Sequence, residues 1–353
     1  MTVVTAMRLA FLGFASLCVW AAAWVALMAG GCWSHSDQQV VVYTALDAEF
    51  SEPVLERFSQ ETGIAAVPKF DTEATKTVGL AQAILAERDR PRCDVFWNNE
   101  ILNTLRLERE GLLESYQPPG AEAFPARYRS PRGTWHGFAA RARVLVVNTQ
   151  VVPRAEWPGS IHDLADPKWR GKAALAKPLA GTTATHAACL FAVWGPERAQ
   201  EFFRKLKGNA VQIVSGNKQV AISVGLGQAA FGLTDTDDVL GEIEAGRPVA
   251  MVYPDQGPEG LGTLVIPNTL AIIKGCPHPD SARRLVDYLL RPEVEAILSA
   301  GPSAQIPLHP SLQAPNRLAL PGDFKAMEVD FGAAAEHWDT AARFLREEFA
   351  TGQ

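Results

Sequence analysis

Short apolar runs alternate with amphipathic stretches from residue 40 to residue 111, a pattern that few folds accommodate. Val40-Val41-Val42-Tyr43-Thr44 is apolar on both faces until Tyr43, as a parallel strand covered by helices requires. Val54, Leu55 and Phe58 recur at helical spacing between Asp47 and Thr62, and Gly63 closes that helix. Ile64 to Phe70 reads as a strand, and Asp71-Thr72-Glu73 offers caps for a helix through Val78, Leu80, Ala81, Ile84 and Leu85. Asp94 to Trp97 is the next strand, and Asn98-Asn99-Glu100 opens a helix that ends at Gly111. Strand, helix, strand, helix, strand in this order predicts a doubly wound α/β unit.

A second cycle follows. Trp135 to Phe138 and Arg143 to Asn148 read as strands, and residues 161 to 169 as a capped, turn-rich segment. Ala173 to Ala176 is a strand, Gly181-Thr182-Thr183 starts a helix, and Glu197 to Lys207 is amphipathic. Asn217 to Val224 is a further helix. Gln228 to Leu233 is a buried strand, and Val239 to Gly246 a helix closed by glycine. Val249 to Tyr253, Leu261 to Pro267 and Asn268 to Ile273 are strands, the last of which returns the chain to its first half. Helices are expected over 280–290, 293–298 and 331–349. A chain of 353 residues suits two domains of ordinary size. The expected organisation is α/β in two lobes: 40–140 with 269–318, and 141–268, followed by C-terminal helices in 319–353.

The net charge of −6 gives no basic surface for nucleic acid. Ahead of the first strand, Arg8 precedes an uncharged apolar run from Leu9 to Gly31, ending in small residues before Cys32. That is the build of an export signal over 1–31. Ala29-Gly30-Gly31-Cys32 resembles a lipobox, which would make Cys32 a lipidated residue and 32–39 a tether. The rival reading is a retained membrane helix, since the run is long enough to span a bilayer. Both readings export the remainder, to the periplasm or the cell-surface side of the membrane; a monomer is expected. Cys93, Cys189 and Cys276 are too scattered for a metal cluster and read as small buried residues.

Polar residues gather at the expected strand ends. Thr234-Asp235-Thr236-Asp237-Asp238 puts three carboxylates in four positions. Helix capping accounts for one or two, and a third leaves room for a cation or a protonated amine. Gly181-Thr182-Thr183 at a helix start suits an anion or is plain capping. Arg141 and Arg143, two apart on a strand, face one side, which is either a cleft wall or a solvated edge. Tyr43 ends the first strand where a ligand would lie, or packs as an aromatic; Glu100 is a ligand or a first-turn carboxylate. His-Glu-x-x-His and Gly-x-Ser-x-Gly are absent from the sequence, so neither an enzyme nor a resident cofactor is expected.

Val42-Tyr43-Thr44-Ala45, Phe58-x-x-Glu61-Thr62-Gly63-Ile64, Asp94-Val95-Phe96-Trp97-Asn98-Asn99-Glu100 and Gly111-Leu112-Leu113-Glu114 resemble the ferric-ion-binding branch of the bacterial extracellular solute-binding proteins. Arg143 to Thr149 and Asp163-Leu164-x-x-Pro167-x-Trp169-x-Gly171-Lys172 continue the likeness. The resemblance implies a type II periplasmic-binding-protein fold whose lobes close on cargo and deliver it to the permease and ATPase of an ABC importer. In that family a tyrosine pair ligates the metal, and its places here hold Asp237 and Asp238. The family's glutamate falls on Asn99, or on Glu100 if the register slips by one; a first-strand ligand falls in Tyr43 to Asp47. The implied metal set is Tyr43, Glu100, Asp237 and Asp238, with Gly181, Thr182, Thr183, Asn217 and Arg141 around a companion anion. Phenolate is the strong, charge-donating ligand for Fe(III), whereas carboxylate, amide and water suit less acidic hard ions such as Mg²⁺, Ca²⁺ or Mn²⁺, with Fe(III) in an oxygen-only shell as the further option. A phosphorylated or amine-bearing organic solute is the alternative cargo, and a secreted metal-dependent hydrolase the alternative class.

Overall fold

The structure is a computed structural model and describes residues 38–71 and 78–349; the export stretch, Cys32, Thr72 and Glu73 lie outside the described residues. The first α/β cycle forms as its pattern demands: β1 (Gln39–Thr44), α1 (Ala48–Thr62), β2 (Ala65–Phe70), α2 (Val78–Ala86), β3 (Val95–Asn98) and α3 (Leu102–Arg109). Strand β1 runs parallel between β2 and β3. Gly63 closes α1 in the left-handed region at φ 73°, a conformation in which a side chain would be strained.

The second cycle comprises β4 (His136–Asn148), β5 (Ala173–Ala176), α4 (Gly181–Trp194), α5 (Pro196–Gly208), β6 (Gln212–Val214), α6 (Asn217–Gly225), β7 (Phe231–Asp235) and α7 (Thr236–Glu244). It is followed by β8 (Val249–Val252), β9 (Val265–Ile272), α8 (Pro279–Leu289), α9 (Pro292–Ala300) and α10 (Phe331–Phe349). The strands run in the order β2-β1-β3-β9-β4-β7-β5-β6, with β8 also on β4. Strands β4 and β9 are therefore the crossovers that tie the halves together. The first half of β4 pairs with β9 and its second half with β7 and β8.

Three boundaries differ from the sequence reading. The two strands expected over 135–148 are one, interrupted by a register shift at Ala139, whose φ is 41°. Buried Glu295 accepts from Ala139 N at 2.6 Å, and Asn268 donates to the Ala139 carbonyl, so side chains satisfy what the ladder cannot. The strands expected on either side of residue 268 likewise merge as β9. The third difference bears on function: β7 continues to Asp235 and α7 starts at Thr236, so Asp237 and Asp238 sit in a first helical turn rather than in a loop.

Apolar side chains cover the sheet on both faces. Val42, Val95 and Trp97 pack with Phe58 of α1 and Leu285 and Val286 of α8. Tyr43 and Phe96 turn the other way, toward Leu80 and Ile84 of α2. Each such aliphatic side chain contributes roughly 1.5–3 kcal/mol when fully buried. Helix α10 packs against α3 of the first half and against α4 and α5 of the second, chiefly through Trp338, Phe344 and Leu345. The three cysteines of the described residues are free, with Cys93 and Cys189 buried.

Candidate functional site

Strand pairing sets the site. Arg143 of β4 lies directly opposite Asp235 of β7, so both side chains rise from one face of the sheet. Arg143 is wholly buried and donates to Asp235 Oδ1 at 2.7 Å, to Thr182 Oγ1 at 3.1 Å and to Thr183 Oγ1 at 3.1 Å. The other oxygen, Asp235 Oδ2, accepts from Thr182 Oγ1 at 2.6 Å and from Asn217 Nδ2 at 3.1 Å. Burial alone would push the Asp235 carboxyl up, but the Arg143 and Arg141 guanidiniums, with Thr182, outweigh it and hold it below the usual carboxylate range. Asp235 is thus spent on holding β4, β7, α4 and α6 together.

Above this plate lies a crevice of about 110 Å³. Asp47 and Asn99, beyond the ends of β1 and β3, line it from the first half. Arg141, Gly181, Asn217, Lys218, Asp237 and Asp238 line it from the second. Arg141 Nη1 is 3.5 Å from Asp237 Oδ2 and 3.9 Å from Asp235 Oδ2. Burial works against the Arg141 charge, yet Asp237 and Asp235 raise its pKa and keep it protonated. Its Nε and Nη2, though buried, have no hydrogen-bond partner, and neither has the buried Oδ1 of Asn99. Asp238 accepts from Thr234 Oγ1 at 2.8 Å.

The anion side differs in detail from expectation. Thr182, Thr183 and Asn217 are present, but Thr182 donates to Asp235 and Thr183 to Asn217, so neither hydroxyl proton is left for a ligand. What remains is backbone. The first-turn N–H groups of an α-helix have no acceptor within it, α4 and α6 have no side-chain cap, and both helix starts line the crevice. Gly181 opens α4 at φ 59°, a left-handed conformation that sets the angle of that first turn.

Two expected metal ligands are not brought to the crevice. Tyr43 lies on the opposite face of β1 and donates to Glu87 at 2.9 Å; burial, then that carboxylate, push its phenol well above its ordinary value. Tyr43 still belongs to β1 and packs under α2, whereas the crevice wall is built past the end of the strand, by Asp47. Glu100 turns inward and caps α3, accepting from Leu102 N at 2.8 Å and Asn103 N at 3.0 Å, and it also accepts from Thr185 Oγ1 of α4 at 2.6 Å. The capping alternative holds for Glu100, and Asn99 takes the crevice position. Tyr43→Phe is accordingly expected to cost about 1 kcal/mol of stability, seen in denaturant melts, and to leave ligand affinity unchanged. A tenfold affinity loss would return Tyr43 to the site.

Sequence reasoning passed over Lys218, and it left Asp47, Asn99 and Arg143 as open options: the end of a first-strand range, an alternative register, and a cleft wall or solvated edge. Charges at 141, 143 and 235 inside otherwise apolar strands were the available signal, since an unpaired charge is not tolerated there.

The model of the bacterial extracellular solute-binding protein family matches residues 103–331. The chain belongs to this family. Iron uptake protein A1 of Synechocystis sp. (strain ATCC 27184 / PCC 6803 / Kazusa) is 25% identical over 299 residues, covering 82% of this chain and 81% of that protein. Among solved structures, iron-bound HitA from Pseudomonas aeruginosa superposes with a TM-score of 0.76 at 25% identity, covering 88% of this chain and 99% of that one. AfuA from Actinobacillus pleuropneumoniae, with fructose-6-phosphate bound, gives a TM-score of 0.77 at 22% identity over 89% of this chain and 99% of that one. This extracellular solute-binding protein thus has the two-lobed type II binding fold, with β4 and β9 as its crossover strands and the crevice between the halves they join. Among the described residues no helix is long and apolar enough to cross a membrane.

Proposed function

We propose that the chain is the receptor of an ABC importer, anchored at the outer face of the membrane through Cys32, and that its cargo is a hard metal ion, ferric iron first, carried with a companion anion. One observation carries this reading. Carboxylate oxygens of Asp235, Asp237 and Asp238 lie within 4.8 Å of one another, beside two helix N-termini in the same crevice. The names of the relatives support iron as the metal. Asp235 is bound by arginine, so the donors assigned to the cation are Asp237 and Asp238, completed across the crevice by Asp47 and Asn99. An all-oxygen set of this kind suits a hard cation. Gly181, Thr182, Thr183 and Asn217 present backbone N–H groups to the anion, with Arg141 beside them. Cargo bridging the halves favours the closed form, and the permease and ATPase read that difference. The protein binds and releases its cargo without bond chemistry.

Calorimetry of the purified chain with Fe³⁺, Ca²⁺ and Mn²⁺ tests the proposal. Ferric iron supplied with citrate should give saturable heat, and Asp237→Ala or Asp238→Ala should weaken it by about tenfold or more, the worth of one charged ligand contact. No heat from any of the three ions at levels well above micromolar would sink the metal reading.

A further inference from the structure

The crevice holds two buried, unpartnered groups of opposite sense. Arg141 Nε and Nη2 are donors without acceptors, and Asn99 Oδ1 is an acceptor without a donor. Both line the same space, one from each half of the molecule. Buried polar atoms are rarely left in this condition, and a ligand that carries a donor at one end and an acceptor at the other satisfies both. Charge points the same way. Asp47, Asp235, Asp237 and Asp238 are nearly matched by Arg141, Arg143, Lys177 and Lys218, with Glu49 beside Lys218, so a cargo carrying both signs of charge leaves the crevice close to balanced. Size adds a limit. At about 10–15 Å³ per water-sized group, a space of about 110 Å³ holds a solute of a few carbons with a head group at each end.

We propose that the crevice also takes a short organic zwitterion, its ammonium between Asn99, Asp47 and the carboxylates of Asp237 and Asp238, its oxyanion on Arg141 and the first turns of α4 and α6. The inference rests on the reading of this crevice as the cargo site and replaces the metal ion with a covalently tethered cation. An ammonium carries three donors, which the Asn99 carbonyl and two carboxylates can accept. The guanidinium and the helix starts supply N–H groups to the oxyanion, phosphate or carboxylate. Neither end alone satisfies both unpartnered groups, and one molecule carrying both charges does so without a separate companion ion.

Calorimetric titration of the full-length chain with phosphoethanolamine, β-alanine, inorganic phosphate and ethylamine tests this. At least one zwitterion should bind about tenfold tighter than inorganic phosphate and ethylamine. A preference for phosphoethanolamine identifies a tetrahedral oxyanion, and a preference for β-alanine a carboxylate. Asn99→Leu should abolish that advantage, bringing zwitterion affinity down to that of inorganic phosphate. Asp238→Asn should do the same, with melting curves reporting that each variant is folded. Zwitterions binding no tighter than phosphate would overturn the inference. Ferric citrate binding without any response to zwitterions would overturn it and leave the metal reading standing. A folded chain that binds none of these probes would overturn both.

Discussion

Replacing Asp235 by alanine is expected to lower the unfolding free energy by about 3–5 kcal/mol, measured as a shift in a urea denaturation curve. The magnitude follows from what would be left behind. Arg143 is fully buried and forms an ion pair with Asp235 through the 2.7 Å bond to its Oδ1. Without that carboxylate a buried guanidinium keeps the Thr182 and Thr183 hydroxyls but loses its counter-charge, and Thr182 and Asn217 each lose an acceptor. Asp235→Leu combined with Arg143→Met should cost less than the two changes summed, because it removes both charges together. Asp237→Asn and Asp238→Asn, on half-buried residues, should cost far less stability. A denaturation midpoint unchanged by Asp235→Ala would show that the ion pair does not hold the second half together. The carboxyl is held below its ordinary value, so its stabilising effect is complete above the unfolded carboxylate range, near pH 4. It is lost as pH falls through the lower folded value.

Acid should loosen the protein well before that carboxylate titrates. His186 is buried in α4, and burial, with Arg143 nearby, lowers it from 6.5 to about 3 despite the opposing pull of Asp235. A histidine in the unfolded chain takes up its proton near pH 6.5, whereas the folded one resists until far lower pH. The unfolded state therefore binds the extra proton first, and native stability is greatest above pH 6.5 and falls as pH drops toward the folded value. Linkage gives a loss of about 3 kcal/mol between about pH 7 and pH 4 from this group. Denaturation curves at several pH values should show that slope in the native chain and its flattening in His186→Leu. Equal slopes in the two proteins would place the acid sensitivity elsewhere.

Much of the fold could be read from local pattern because it follows from local chemistry. The β-branched run at Val40 to Val42, the glycine at 63 and the periodic Val54, Leu55 and Phe58 each fix an element with information from a few neighbouring residues. Helix α10 falls over 331–349 as its amphipathic period predicts. The crevice was partly legible for the same reason: Asp237, Asp238, Gly181 and Asn217 stand at strand-to-helix junctions, which open α/β sheets turn toward ligands. Tyr43 stands near such a junction too. It fails because it still belongs to β1 and packs under α2, while the crevice wall begins past the strand end, at Asp47.

Residue order thus determined the alternation of strand and helix, the family and the positions where polar residues gather, all of which depend on short-range spacing. Tertiary structure alone decided which of those residues meet. Opposition of Arg143 and Asp235 is a matter of register between strands separated by 92 positions. The inward turn of Glu100 depends on Thr185 of α4 lying close enough to bond to it. The place of Asn99 and Asp47 on the crevice wall depends on the second half lying opposite them. Such contacts form between distant segments once both halves have packed, and no local preference along the chain encodes the distance between them.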